Sequence, residues 1–214
     1  MRPRAHNVLS YSVALATFWC VLLVRAHGHA LTGTAKLGAA LWTAHFARRT
    51  LESAFVHRYS KPSIGKADYL SEYAYYWGFA AWIAWSLVRA EQHAPPAGLQ
   101  ALGLAAFVLA ELGNARAHSV LRALRSAGGQ ERAIPRAALF ERVSCPHYSC
   151  EIVAWLGFNL VTGTLAGTLF MLLGAGILAA WARTRHLAYR REFDGEGGRE
   201  LYPPARRALI PFLF

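Results

Sequence analysis

The sequence predicts an all-α polytopic membrane protein, a helical bundle with about six transmembrane helices, on three observations. Residues 152–182 form one apolar run without a charged side chain. Hydrophobic residues make up 55% of the chain, and three further stretches are almost free of charge. When six helices alternate in direction, 20 of the 23 Lys and Arg residues fall on one side. A soluble bundle would instead need polar helix faces, which these segments largely lack.

Four helices are predicted before the long apolar run. They cover, in order, Val8–Val24, Ala35–His57, Tyr73–Val88 and Ala94–Ala110, of which the second is amphipathic. A signal peptide is an alternative for the first, because basic residues precede the apolar stretch. About 17 apolar residues are long for a signal peptide, and the polytopic remainder favours a helix that is retained.

The apolar run 152–182 predicts the fifth and sixth helices. As one helix it would measure about 46 Å, well beyond the roughly 30 Å hydrocarbon layer of a bilayer. Small, turn-tolerant residues lie near its middle, from Thr162 to Gly167. We therefore expect two helices joined by a tight hairpin.

The charge distribution predicts orientation. Lys and Arg in short loops stay on the cytosolic side, so both termini are expected there. The basic surface suits either lipid head groups or a phosphate-rich cofactor bound from the cytosol. Nucleic acid is disfavoured as a partner, because the basic residues flank membrane segments and form no recognisable nucleic-acid-binding motif.

The three cysteines predict neither a metal site nor a disulfide framework. Cys20, Cys145 and Cys150 lack metal-ligand spacing and are odd in number, so we expect packed thiols and no metal. A single domain over residues 1–214 is the expected organisation.

A polar stripe is predicted where the fourth helix ends. Asn114, His118, Arg122 and Arg125 advance by four, four and three residues, so their side chains share one helix face. Arg side chains in this position match phosphate oxygens bidentately. A helix end that reaches lipid phosphates explains the stripe equally well.

A second group, His147, Tyr148 and Glu151, stands just before the long apolar run. A Tyr hydroxyl at this boundary can donate a proton to a substrate, and neighbouring cations would favour that transfer. Tyr is also common at membrane interfaces without any chemistry. Glu151 needs a partner there, such as a ribose hydroxyl, an amide or an Arg.

The third group lies in the basic tail. Arg185, His186 and Tyr189 leave the last apolar helix, with His186 and Tyr189 one turn apart on the same side. The apolar end, Ile210–Phe214, is expected to fold back onto the membrane helices and close a pocket.

The order and spacing of these residues, together with several short segments, resemble the steroid 5-alpha-reductase family, and within it the very-long-chain trans-2-enoyl-CoA reductase branch. The further segments are His45 with Arg49, Phe55-Val56-His57-Arg58, Tyr75-Tyr76-Trp77-Gly78-Phe79, Ile134-Pro135, Leu139-Phe140, Val143-Ser144-Cys145-Pro146, Tyr202-Pro203-Pro204 and Ile210-Pro211-Phe212-Leu213.

The resemblance implies a multi-pass enzyme of the endoplasmic reticulum membrane that uses NADPH to reduce the 2,3 double bond of a (very-)long-chain trans-2-enoyl-CoA, the last step of fatty-acid elongation. It implies an acyl-CoA substrate, contact with membrane lipid and other elongation enzymes as partners. Tyr148 is the implied proton donor. With the basic residues of the same surface, the expected cofactor-binding residues are Arg49, Asn114, His118, Arg122, Arg125, Arg132, His147, Glu151, Arg185, His186 and Tyr189.

Some positions depart from the family pattern. Phe46 stands where relatives usually carry Tyr, and His147 where they commonly carry Asn. Relatives also have a longer N-terminal part, which in the enoyl-CoA branch includes a ubiquitin-like domain. Three other functions stay open: a steroid or prenyl enone reductase, a membrane methyltransferase of the isoprenylcysteine type, and a non-catalytic member of an elongation complex.

Overall fold

The computed structural model describes residues 1–59, 63–88, 94–124 and 133–214. Within these ranges the chain is helical, and its only β-pairing consists of two isolated bridges. The six long helices are α1 (Pro3–Arg25), α2 (Gly33–Leu51), α3 (Lys66–Leu87), α4 (Ala97–Ala123), α5 (Pro146–Thr162) and α6 (Leu165–Glu192). The predicted all-α class and the count of six helices are confirmed.

Three of these helices are long and apolar enough to cross a membrane: α1, α4 and α6. They mark the chain as a membrane protein. The other three helices fall short by length or composition among the described residues. α5 has 17 residues, α2 ends in Arg48 and Arg49, and the many Tyr and Trp side chains of α3 lower its mean hydropathy.

The predicted hairpin between the last two helices lies where the sequence placed it. α5 ends at Thr162, and Gly163 adopts a left-handed conformation with φ of 62°, which favours glycine. The hydroxyl of Thr164 then accepts a hydrogen bond from the backbone N–H of Gly167 at 3.2 Å. A side-chain cap of this kind starts α6 after only two linking residues.

The described residues form two compact units. Unit 1 contains residues 1–107 and 155–170, and unit 2 contains residues 108–154 and 171–214. The expected single domain over the whole chain stays a prediction.

Unit 1 has an aromatic core centred on Trp42, which is fully buried. The Trp42 ring stacks on Phe18 with centroids 5.0 Å apart and lies 4.5 Å from the Phe46 ring. Elsewhere in this unit α4 and α5 cross at two glycines. A Cβ atom on Gly157 would lie 2.5 Å from the carbonyl oxygen of Gly103, so only glycine permits this approach. Unit 2 contains most of the residues to which the sequence assigned chemistry.

Candidate functional site

The first part of the site is a hydrogen-bonded pair between α4 and α5. The Nδ2 group of Asn114, which is only 2% exposed, donates to the backbone oxygen of His147 at 2.7 Å and to the Glu151 carboxylate at 3.1 Å. A Cβ on Gly113 would lie 2.9 Å from the Cys150 sulfur, so this glycine lets the two helices approach. Of the three partners considered for Glu151, a ribose hydroxyl, an amide or an Arg, the structure provides the amide of Asn114.

His118 lies one turn further along α4 and is also buried. Its ring centroid is 5.6 Å from that of His147, which lies in the first turn of α5. The spacing argument placed Asn114 and His118 on one helix face, and both indeed turn inward. Their shared face brings an amide, two imidazoles and a carboxylate together in unit 2.

The second part of the site is centred on Tyr148, which is half-buried in the first turn of α5. Its ring packs on a small apolar cluster of Cys145, Ala182, Ala208 and Leu209. The guanidinium carbon of Arg185 lies 5.8 Å from the ring centroid, and the Arg185 side chain hydrogen-bonds to Tyr148. With an exposed cation beside the phenol, a proton and an anion can be held close together here.

Cys145 does not share in this chemistry. Burial in the apolar cluster raises the pKa of its thiol to about 12, although the nearby Arg185 acts in the opposite direction. The thiol therefore stays protonated at neutral pH, as expected of a packed cysteine.

The third part is a network around the Ser144 hydroxyl. The Ser144 Oγ atom lies 2.6 Å from His186 Nδ1 and 2.7 Å from the Tyr202 hydroxyl. The Tyr202 ring stacks on Tyr189 with centroids 5.4 Å apart and nearly parallel planes. His186 and Tyr189 thus face the same neighbours, as their one-turn spacing predicts.

Backbone pairing holds the tail beside the start of α5. The N–H groups of Ser144 and Cys145 donate to the carbonyl oxygens of Arg207 and Ala208 at 2.8 and 3.1 Å. The hydroxyl of Ser149 donates to the Leu209 oxygen at 2.5 Å. These bonds place Leu209 against Tyr148, so the two side chains line the same side of the candidate site.

A buried arginine fixes this tail from the other side. Arg206 is 2% exposed, and its guanidinium donates to the Pro135 oxygen at 2.8 Å and to the Glu141 carboxylate at 3.2 Å. The N–H of Ala137 and the Arg206 guanidinium lower the pKa of Glu141, so the pair is charged at neutral pH.

The expectation that the apolar end, Ile210–Phe214, folds inward is not met. Ala208 and Leu209, which precede this segment, are buried because they belong to the apolar cluster against Tyr148. Phe212 and Leu213 are 83% and 81% exposed, so the prediction that the whole end folds inward is wrong. The hydrogen bonds of Leu209 and Ile210 to Phe214 close a small turn that directs the last side chains outward.

The remaining predicted site residues are distributed as follows. Arg122 is exposed at the end of α4. Arg125 and Arg132 lie outside the described residues. Arg49 belongs to unit 1, where it donates to Glu52 at 2.9 Å and to the Tyr11 hydroxyl at 3.2 Å.

Sequence reasoning did not assign roles to Ser144, Tyr202 and Arg206. Ser144 and Tyr202 occur in the family-like segments, and a hydroxyl directly before Cys-Pro at a helix start was the available signal. Arg206 gave no such signal, because an arginine in a basic tail usually remains in solvent.

Comparisons with known proteins identify the family. A family model described as 3-oxo-5-alpha-steroid 4-dehydrogenase matches residues 80–214. The chain is 38% identical over 178 residues, 83% of its length, to a very-long-chain enoyl-CoA reductase of Dictyostelium discoideum. It is 37% identical over 181 residues, 80% of its length, to a probable very-long-chain enoyl-CoA reductase of Caenorhabditis elegans.

A steroid 5-alpha-reductase of Gossypium hirsutum is 34% identical over 149 residues, which are 70% of this chain and 48% of the relative. The chain spans 58% and 56% of the lengths of the Dictyostelium and Caenorhabditis relatives. The family match over residues 80–214 includes Asn114, Tyr148, Glu151 and His186. The chain belongs to the steroid 5-alpha-reductase family of membrane oxidoreductases.

Proposed function

We propose that this chain binds NADPH in unit 2 and reduces the 2,3 double bond of a (very-)long-chain trans-2-enoyl-CoA. The observation that carries the proposal is the half-buried Tyr148 hydroxyl with the Arg185 guanidinium beside it, one turn from the bonded pair of Asn114 and Glu151. The names of the enoyl-CoA reductase relatives support this reaction class.

The residues of unit 2 fit a nicotinamide dinucleotide by their chemistry. The amide of Asn114 and the carboxylate of Glu151 offer a donor and an acceptor for a carboxamide or a ribose hydroxyl. Exposed guanidinium groups at Arg122 and Arg185 suit phosphate oxygens. Arg125 and Arg132 remain proposed phosphate ligands on the sequence argument, as do His118, His147, His186 and Tyr189 for the rest of the cofactor. Arg49 has Glu52 as a charged partner already, so its proposed contact requires an exchange.

The proposed mechanism divides the work between cofactor and protein. NADPH, when bound, supplies the hydride for the β carbon. Tyr148 holds a proton at its phenolic oxygen for the α carbon of the substrate, and Arg185 stabilises the negative charge that remains after this transfer. The apolar cluster of Cys145, Ala182 and Leu209 excludes water from one side of the phenol.

The proposal also covers the membrane in which the reaction takes place and the enzymes that act with it. The three long apolar helices require a lipid bilayer, and we propose the endoplasmic reticulum with both termini in the cytosol. An acyl chain would extend into the apolar part of the protein while the CoA phosphates remain near the basic surface. The step is proposed to complete a fatty-acid elongation cycle together with other elongation enzymes.

The test is the oxidation of NADPH by detergent-purified protein supplied with trans-2-hexadecenoyl-CoA. We expect the NADPH absorbance to fall only after the enoyl-CoA is added to the protein and NADPH. A saturated acyl-CoA of equal length should cause no fall. A 4-ene-3-oxo steroid serves as the second substrate, because the matching family model and one relative carry steroid names. Turnover of the steroid alone would replace the enoyl-CoA proposal, and NADPH binding without turnover of either would favour a non-catalytic role.

A further inference from the structure

The described residues that line one groove of unit 1 have no assigned part in the reaction. It runs between α1 and α3, has a volume of about 510 Å³, and opens towards the outside of the helices. Its lining is apolar except at one end and includes Cys20, Val24, Gly78 and Trp82. A volume of this size is typical of sites that hold a small molecule, and the apolar lining suits a hydrocarbon chain.

Arg25 supplies the charge at the end of this groove. Its guanidinium carbon lies 4.2 Å from the centroid of the Trp85 ring, and the stacking fixes the position of the cation. The buried Nε atom of Arg25 has no hydrogen-bond partner among the described residues. The described residues that line the groove include no carboxylate, so an external anion is a complementary partner for Arg25.

The position of Arg25 at the end of α1 indicates which kind of anion would pair with it. α1 is one of the three candidate membrane spans, and it ends at Arg25. The end of a span lies at the level of the lipid phosphates, where Trp side chains such as Trp82 and Trp85 are common. An apolar groove that ends in a cation at this level matches a molecule with an acyl chain below its phosphate.

We propose that the groove between α1 and α3 binds one phospholipid, with an acyl chain in the groove and the phosphate paired with Arg25. A guanidinium group can give two parallel hydrogen bonds to phosphate oxygens, which is stronger than contact with an uncharged glycerol head group. The site concerns the anchoring of unit 1 in lipid and does not depend on the proposed reductase activity.

Cys20 provides a direct readout of this site. Its thiol is exposed and lines the groove, whereas Cys145 and Cys150 are buried. Burial also raises the pKa of Cys145 to about 12, which suppresses its reaction at neutral pH. The rate at which a maleimide modifies the detergent-purified full chain therefore reports access to the groove, and peptide mapping confirms modification at Cys20.

The experiment compares two lipids with the same acyl chains, dioleoylphosphatidylglycerol and dioleoylglycerol, of which only the first carries a phosphate. We expect phosphatidylglycerol to slow modification of Cys20 at lower concentration than dioleoylglycerol. In Arg25→Gln the concentration of phosphatidylglycerol that gives half protection should rise about tenfold, the loss expected for one charged hydrogen bond. Lys36→Gln is the charge control, because Lys36 is also a cation of unit 1 and does not line this groove.

A second variant tests the groove itself. A Cβ on Gly78 would meet no atom within 4 Å, so Gly78→Leu adds its side chain to open space and should fold normally. We expect the rate at which maleimide modifies Cys20 in this variant to be independent of phosphatidylglycerol. Gly176→Leu is the matched control, since Gly176 is also an exposed helical glycine with no atom within 4 Å of an added Cβ. Equal protection by both lipids, or full protection in Arg25→Gln or Gly78→Leu, would overturn the proposal.

Discussion

At the scale of single residues, local spacing predicted helix faces well. Asn114 and His118 are four residues apart and both turn inward, and His186 and Tyr189 meet the same neighbours. The cofactor contacts of these residues stay predictions. The Ser144 network could not be foreseen, because it joins residues up to 63 positions apart through the path of the tail.

The role of Tyr148 is the most direct prediction at this scale. In Tyr148→Phe the packing of the ring on Ala182 and Leu209 is kept, but the proton is lost. We expect kcat for enoyl-CoA reduction to fall by about 100-fold or more, the usual contribution of a positioned proton donor. The affinity for NADPH, measured by quenching of tryptophan fluorescence, should hardly change.

Tyr69→Phe is the control for Tyr148→Phe, because Tyr69 lies on α3 in the other unit. Its turnover should equal that of the unaltered chain. Wild-type turnover in Tyr148→Phe itself would remove the assignment of the proton donor.

Arg206 gives a prediction about stability. In Arg206→Met the buried Pro135 carbonyl loses its donor, and we expect the free energy of unfolding to fall by about 1–3 kcal/mol. Glu141→Gln should cost less, because the Glu141 side chain is 52% exposed and water can replace Arg206. Thermal unfolding in detergent measures both variants, and equal losses would contradict the importance of the buried carbonyl.

At the scale of elements, the sequence predicted the number of helices and the hairpin at Gly163, because both depend on local composition. The apolar stretches themselves end before the helices do, as the predicted helix faces of Asn114 with His118 and of His186 with Tyr189 require. α4 continues to Ala123 and α6 to Glu192, since the polar residues past each apolar stretch, with His118 and His186 among them, continue the helix and find partners in unit 2. Apolar length measures the part of a helix inside lipid and not the whole helix.

The crossing of α4 and α5 yields a prediction at this scale. Gly103→Ala would place a Cβ 2.6 Å from the Gly157 carbonyl oxygen, so the helices must separate. We expect a loss of about 1–3 kcal/mol in the free energy of unfolding. Gly98→Ala on the same helix meets no atom within 4 Å and should be neutral or slightly stabilising. A thermal shift of the same sign in both variants would argue against the close contact.

The turn after α6 contains a pH-dependent contact. The Asp194 carboxylate accepts two hydrogen bonds from the Arg199 guanidinium, at 2.9 and 2.7 Å, which lower its pKa to about 2. A lowered pKa contributes stability above the unfolded value near 4 and loses it as the pH falls towards about 2. We expect the melting temperature to fall less over this interval in Asp194→Asn than in the unaltered chain. Parallel profiles for the two proteins would exclude this contribution.

At the scale of the whole molecule, composition and charge predicted a helical membrane protein, and the three candidate spans agree. The orientation of the helices in the membrane stays a prediction, because it rests only on the rule that Lys and Arg in short loops remain on the cytosolic side. With 20 of 23 basic residues assigned to the cytosol, a glycosylation tag appended to either terminus should remain unmodified in microsomes. The same tag inserted after Gly28, between α1 and α2, should be glycosylated, and the reverse pattern would invert the topology.

The pairing of Ser144 and Cys145 with Arg207 and Ala208 has a consequence for how the protein is made. A ribosome produces residues 202–209 only after it has translated all six helices, so the tail segment that packs beside Tyr148 is made after every helix. A nascent chain halted after Glu192 would contain every helix and still lack the Tyr202 hydroxyl, the Arg206 anchor and the Leu209 contact. The candidate site around Tyr148 is therefore completed only when the tail has been made.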